Sequence, residues 1–378
     1  MALQDVTLQQ LQPGDYVVKV SRQTGEILIK EAGLIRNQKT IDMLRSKGVL
    51  RVCVDPDKAD LSLRPQAPES RLQLTEDTVI PSSKEDFAQL LPRSEQIFQA
   101  LQRKQSRLMS SYRQSQPIDL ELVTEVSCGL ADAVSRNQDV MLCLSRMAES
   151  SDQLLQHAIN CAVYMAAFGQ QLQLPNNQVQ DLITAALLHD MGKIQLGYEA
   201  SDVSAIAPSL QLLAPLQRLP HEVSLWIAQH CAYVDGSGSP KGLHGDQITL
   251  GARMLAIVNH YDNYCHPLDK KAINPQLASK KLLDKTPHQL DSELTQRFIR
   301  CIGIYPPGSV VLLQSGKLAL VLENSHKTPT QPKVKVFYHS LHQHHLPPKV
   351  LDLAKHQDDL IEHCVDLAQY GLNARNYL

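Results

Sequence analysis

The sequence predicts a mainly α protein: a central helical bundle, a small α+β module ahead of it, and a β-hairpin segment behind it. Three observations carry this expectation. Apolar residues recur at helical spacing from about Lys84 to Ile304. Short β-prone runs gather near the two ends. A stretch rich in proline and charge separates the first such runs from the helices. A chain of 378 residues has room for two or three domains.

Residues 1–56 form the small α+β module. Tyr16 to Val20 and Glu26 to Lys30 are strand-like, with Gly25 in the turn between them. Asn37 caps a helix that runs through Lys47 and stops at Gly48, and Arg51 to Asp55 reads as another strand. Residues 57–83 read as a linker. Residues 84–150 form a helical connector. Leu91, Phe98, Leu101, Leu108 and Tyr112 lie on its first stripe. Beyond Pro117, a second helix is expected from Ile118 to Met147. The main helical domain spans 151–304, with stripes such as Leu155, Ile159, Ala162, Val163 and Ala166. In the segment 305–378, Ser309 to Asn324 reads as a hairpin turning at Ser315-Gly316, Pro332 to Ser340 adds a strand, and the tail from about Asp358 reads as a helix.

Composition narrows the function. Hydrophobic residues make up 43% and charged residues 20%, an ordinary globular balance, and a net charge of -2 argues against a nucleic-acid polymer as partner. No run reaches the roughly 18 apolar residues of a membrane span. The start lacks a basic segment followed by an apolar core. A soluble cytoplasmic protein is expected. Its eight cysteines form no C-x-x-C pair and read as small buried hydrophobes.

The most informative string is Ala186 to Ile194, ALLHDMGKI. An apolar helix ends in His189 and Asp190, followed by Met191, Gly192 and Lys193. Imidazole and carboxylate suit divalent ions. Adjacent residues point about 100° apart on a helix, so both reach one ion only where the helix end is crowded. His157 and His230 also face inward on their stripes, and a glycine-rich loop, Asp235 to Gly245, follows His230. Such a loop either brings backbone close to phosphate or merely connects two helices.

The order His157, HDMGK, His230, DGSGSP and then Arg253 to Tyr264 (RMLAIVNHYDNY) resembles the HD-GYP domain, a branch of the HD superfamily of metal-dependent phosphohydrolases. The N-terminal module and the C-terminal strand segment resemble the flanks often found around it. The resemblance implies an HD-superfamily helical bundle. Active members of that family hydrolyse cyclic di-GMP at a centre of two or three metals.

The departures from the family pattern imply a degenerate member. Gln153 stands where a glutamate is expected, Ala207 where a histidine is, and Cys231 in place of the second of two adjacent histidines. Tyr233 replaces an arginine, Ser239 the signature tyrosine, Asn259 the late aspartate, and His266-Pro267 an arginine-proline pair. The residual metal set implied by the resemblance is His157, His189, Asp190, His230 and Asn259. That is too few anionic donors for two ions, because bridging anions normally offset their repulsion. One divalent ion (Mn, Fe or Zn), or none, is expected. Asp190 and Lys193 are the residues left for catalysis, Lys193 through a phosphate contact. Lys193, Tyr233, Asp235, Gly236 and Gly238 are the ligand-binding candidates. The expected role is ligand sensing or protein contact in cyclic di-GMP signalling, with cyclic di-GMP, diguanylate cyclases, response regulators or a second copy of the chain as partners. The alternative is a working phosphodiesterase with a reduced metal site.

Overall fold

The computed structural model describes residues 4–7, 11, 14–24, 32–55, 58, 87–148, 150–197, 199–267, 272–325, 327–356 and 359–378. The chain divides into two units, Met1–Thr78 and Val79–Leu378.

The first unit is the expected α+β module. Strands β1 (Gln4–Thr7), β2 (Tyr16–Gln23), β3 (Gly33–Leu34) and β4 (Val49–Val54) pair antiparallel in the order β1-β4-β2-β3. Helix α1 (Gln38–Ser46) follows Asn37, whose side chain accepts from the Thr40 amide at 3.1 Å. The helix ends before Gly48, whose φ is +78° and where a Cβ would meet the Thr24 carbonyl at 2.5 Å. Ile41, Leu44, Val17, Val52 and Val54 close its core. The expected strand Glu26 to Lys30, its turn glycine and nearly all of the linker lie outside the described residues.

In the second unit, helices α2 (Phe87–Arg113), α3 (Leu120–Arg136) and α4 (Gln138–Met147) share one apolar core with the helices that follow. The single helix expected from Ile118 to Met147 is in fact two. Asn137 is extended, with a φ of -155°, and its side chain accepts from the Val140 amide at 2.8 Å. A residue compatible with continuing one helix instead caps the next.

Helix α5 (Gln153–Gln171) is central: every residue from Leu154 to Gly169 is buried. A helix buried on all sides packs on several neighbours. Helix α6 (Asn176–Leu188) runs along it at Gly169, where a Cβ would lie 3.2 Å from Leu182 and Val179. Around this pair stand α7 (Lys193–Leu196), α8 (Asp202–Leu213), α9 (His221–Gln229), α10 (Leu250–Cys265), α11 (Pro275–Asp284) and α12 (Ser292–Ile302). Helix α2 holds both flanks of the HDMGK turn. Gln105 Nε2 donates to the Leu187 carbonyl at 3.1 Å, and Tyr112 Oη accepts from Gln195.

The expected hairpin belongs to a five-stranded antiparallel sheet. Strands β5 (Val310–Leu313), β6 (Lys317–Glu323), β7 (Lys333–His339), β8 (His344–Asp352) and β9 (Ile361–Cys364) lie in the order β8-β7-β6-β5-β9. One face, with Leu318, Leu320 and Phe337, joins the helical core; the other, with Val311, Ala319, Val321 and Val334, forms a core of its own. The tail helix expected from about Asp358 is corrected. That segment supplies β9 and two short 3-10 turns, Leu367–Tyr370 and Ala374–Tyr377. Cys364 pairs with Val311, and Gly371, with a φ of +67°, stops a helix after one turn. Among the described residues no helix is long and apolar enough to cross a membrane.

Candidate metal centre

Helix ends bring the polar residues together. Helix α5 presents His157 and, one turn later, Cys161. The end of α6 presents His189 and Asp190, α7 begins with Lys193, and α8 begins with Asp202. The end of α9 presents His230, and α10 contributes Asn259 and Asp262. The turn after Asp190 is tight because Gly192 lies against α8, where a Cβ would sit 2.3 Å from the Ala205 carbonyl.

Hydrogen bonds set the tautomers of the three histidines. His157 donates Nδ1–H to Asp262 Oδ2 at 2.7 Å, His189 to the Ala186 carbonyl at 2.8 Å, and His230 to the Ile227 carbonyl at 2.7 Å. Each Nε2 is thereby left as the atom free to bind an ion. His157 Nε2 and His189 Nε2 are 3.2 Å apart, and they lie 3.7 Å and 3.6 Å from Asp190 Oδ2. The point equidistant from those three atoms is about 2.0 Å from each, a zinc–nitrogen bond length. Cys161 Sγ lies 3.6 Å from His157 Nε2 and forms a candidate ligand group with the two histidines. Asp190 Oδ1 is buried with no hydrogen-bond partner, an orphaned anionic oxygen. These donors fit one divalent ion.

Charge in the cluster follows from burial and neighbours. Burial opposes ionisation of Asp190, but His189 and Lys193 hold its carboxyl below the usual carboxylate range. Burial pushes His189 down to about 4 and the Cys161 thiol up to about 11. For His157 burial opposes protonation, and the Cys161 sulfur and Asp262 carboxylate outweigh it, raising it well above the ordinary histidine value. Without an ion, a proton on His157 Nε2 bridges it to His189. Asp262 is fully buried and also accepts from Asn160 Nδ2 at 2.9 Å and His266 Nδ1 at 2.8 Å.

Beside the triad, Lys193 Nζ lies 2.6 Å from Asp190 Oδ2 and 2.5 Å from Asp202 Oδ1. Both carboxylates raise the lysine above its ordinary value despite its burial, so it stays charged. Asn259 donates to Asp202 Oδ2 at 2.8 Å and accepts from Asn263 at 3.0 Å, so both of its polar ends are engaged on that side of the cluster. With the histidines neutral, as ion binding at Nε2 requires, three carboxylates (Asp190, Asp202, Asp262) and one ammonium leave a charge of -2. One divalent ion neutralises that, and a second would leave +2 buried.

The structure brings His157, His189, Asp190 and Lys193 together as the sequence suggested. His230 lies with its ring edge-on to His189 at 5.3 Å and its Nε2 3.4 Å from Cys231 Sγ. Asp235 is exposed and accepts from the Ser237 amide and hydroxyl, and Gly238 lies against the Cys231 and Tyr233 backbone, so the loop closes on itself. Gly236, with a φ of +81°, makes the turn. Tyr233 is half-buried, ring-stacked on His260 at 6.2 Å, with Lys285 Nζ 5.9 Å from its ring centre. Gln153 is exposed at the start of α5, and Ala207 lies on α8. Sequence reasoning missed Asp202, Asp262 and Cys161. Asp262 and Cys161 each follow a recognised position by about one helical turn, a readable signal; Asp202 reaches the cluster only through the α7–α8 turn.

Three family models match the chain: a domain of unknown function over residues 3–123, an HD domain over 203–294, and a KOW domain associated with HD domains over 310–373. A cyclic di-GMP phosphodiesterase of Pseudomonas aeruginosa is 27% identical over 344 residues, 85% of this chain and 81% of that protein. A cyclic di-GMP phosphodiesterase of Borreliella burgdorferi is 22% identical over 193 residues, 47% of this chain and 50% of that protein. Among solved structures, an HDG"Y"P protein of Bdellovibrio bacteriovorus aligns with a TM-score of 0.47 and 16% identity over 79% of this chain and 98% of that one.

Proposed function

We propose that this chain, which matches an HD-domain model and is similar to cyclic di-GMP phosphodiesterases, serves cyclic di-GMP signalling as a catalytically silent member of the HD-GYP family. It holds one divalent ion and acts by recognising the dinucleotide or a signalling protein. The observation that carries this reading is Lys193, whose ammonium sits between Asp190 and Asp202 where a second cation would need those carboxylates. Burial supports it: His189 is 0% and Asp190 3% exposed.

His157, His189 and Asp190, with Cys161 beside them, would hold the ion. A bound ion there supplies a Lewis acid and lowers the pKa of its water. Asp262 orients His157, the Ala186 carbonyl orients His189, and Lys193 fixes the Asp190 carboxylate. Phosphoryl transfer to water also needs charge placed on the phosphate. Lys193, spent on two carboxylates, is ill placed to give it. The candidates for dinucleotide contact outside the centre are the half-buried Tyr233 ring, where a base can stack, and the half-buried Lys285 beside it. Diguanylate cyclases and response regulators are the partner classes.

A second reading, a working phosphodiesterase with a reduced centre, is favoured by the spacing of His157, His189 and Asp190. Elemental analysis of the full chain after loading with Mn²⁺ or Fe²⁺, followed by chromatography of cyclic di-GMP incubations, separates the two. One ion per chain, lost in His189→Ala, with no linear product, is expected. Two ions, with turnover abolished by His189→Ala, would overturn the proposal. Labelled cyclic di-GMP that binds the chain and is lost in Tyr233→Ala identifies a sensor; an absence of binding leaves protein contact as the role.

A further inference from the structure

Four of the fifteen histidines fall within seven residues, His339, His342, His344 and His345, at the turn joining β7 to β8. Alternation along the strands divides them between faces. Tyr338 pairs with His345, and the next pair is His339 with His344. His345 is occupied: its ring lies 5.3 Å from Tyr338, and its Nδ1 is 3.2 Å from the Tyr377 hydroxyl. The other three imidazoles share the opposite face with the turn. Ring centres are 4.4 Å apart for His339 and His342, 5.8 Å for His339 and His344, and 6.1 Å for His342 and His344.

We propose that His339, His342 and His344 form a second metal site, one that binds a borderline divalent ion such as Ni²⁺, Zn²⁺ or Cu²⁺ on the outer hairpin of the C-terminal sheet. Three features support it. Imidazole is the preferred donor for these ions. Among the described residues, none of the three rings makes a hydrogen bond to the protein, and His339 Nδ1 is buried with no partner at all. The scaffold is also fixed where it must be: directly paired positions hold their Cβ atoms about 5 Å apart, and the Ser340 amide and hydroxyl both donate to the Gly316 carbonyl, at 2.9 and 2.7 Å, pinning the strand end. His342 and His344 are exposed and free to turn about their side-chain torsions. Their ring nitrogens stand further apart than those of the helical cluster, so closure requires that rotation. Lys317, which pairs with His339 across β6 and β7, directs its ammonium toward Asp359 at 4.0 Å. Water completes the coordination.

The test uses metal-stripped full chain titrated with Ni²⁺ alone, beside His342→Ala/His344→Ala and beside His189→Ala. The wild type is expected to bind one more equivalent than the hairpin double variant, and His189→Ala is expected to retain that equivalent. Single His342→Ala should weaken it by roughly tenfold or more, since even an outer contact to a ligand is worth that much. Cu²⁺ bound to His189→Ala should show nitrogen hyperfine coupling that His339→Ala reduces. If the double variant binds as many ions with the same affinity as the wild type, the site does not exist. His342 and His344 are exposed, so their replacement leaves the fold intact, and unchanged unfolding curves verify it.

Discussion

Replacing Asp262 by asparagine tests the logic of the helical metal centre most directly. The wild-type carboxylate accepts three hydrogen bonds, with Oδ2 taking His157 Nδ1–H at 2.7 Å and Oδ1 taking Asn160 at 2.9 Å and His266 at 2.8 Å. An amide in the same space keeps its oxygen toward the two donors on the Oδ1 side. Its NH₂ then faces His157 Nδ1, which must accept. His157 then keeps its proton on Nε2 alone, the atom 3.2 Å from His189 Nε2 and 3.7 Å from Asp190 Oδ2, and cannot give it up without placing a proton on Nδ1 against that NH₂. One ligand is thereby blocked without moving any heavy atom. Outer contacts of this kind are worth about 10–100-fold in metal affinity, or about 1.4–2.7 kcal/mol. Loss of one charge-assisted hydrogen bond costs about 1.5–3 kcal/mol of stability. Metal affinity is read by competition with a chromophoric chelator, stability by urea unfolding, and the tautomer by the ¹⁵N shifts of the His157 ring. A variant with wild-type affinity and a proton still on His157 Nδ1 would refute the argument.

Other expectations follow from the same contacts. Asp202→Asn removes one of two carboxylates around the buried Lys193 ammonium; with Asp202 about a quarter exposed, the loss is expected at about 2 kcal/mol in urea. Gly192→Ala forces a Cβ to within 2.3 Å of the Ala205 carbonyl and 2.9 Å of the Ser209 amide, both backbone. It is expected to cost about 3 kcal/mol and to weaken metal binding with it. Asp139, near the start of α4, is pushed up to about 7 by burial, while Asn324 hydrogen bonds act the other way. Its folded pKa exceeds the ordinary 3.8, so the folded state holds the proton longer and stability falls as pH rises from about 4 to about 7. The stability gap between Asp139→Asn and the wild type should widen by about 1.4 kcal/mol per pH unit across that window and level off above it. The helix dipole at α4 trims the total by up to about 1 kcal/mol. A gap that stays constant from pH 4 to pH 8 would count against a buried, protonated Asp139.

Periodicity made most of the fold legible. Helices α2, α5, α6, α9 and α10 and strands β5 to β7 lie where spacing placed them. Where local chemistry permits two outcomes, the sequence is silent. Asn137 tolerates a helix interior or caps the next helix, and only packing against the bundle selects the cap. The tail from Ile361 has helical composition but faces an open edge of β5, and pairing with that edge satisfies its backbone. In the site, residues on recognised motifs were legible and those reaching it from other elements were not. Asp202 carries no motif, and its role depends on a turn folded against Gly192. Its effect runs opposite to that of an added ligand, since it holds Lys193 in place instead of offering its carboxylate to an ion.

Helix α2 is a splint across the metal-binding turn. Gln105 and Tyr112 stand two helical turns apart on one rigid rod, and they fasten the residues before and after His189–Lys193. Sliding or twisting that rod cannot relax one anchor without loading the other. A displacement of that rod is therefore expected to alter the spread of His189 and Asp190 relative to His157, and a spread fitted to a 2 Å bond tolerates only a few tenths of an ångström. Changes to α2 are therefore expected to alter ion affinity from outside the pocket.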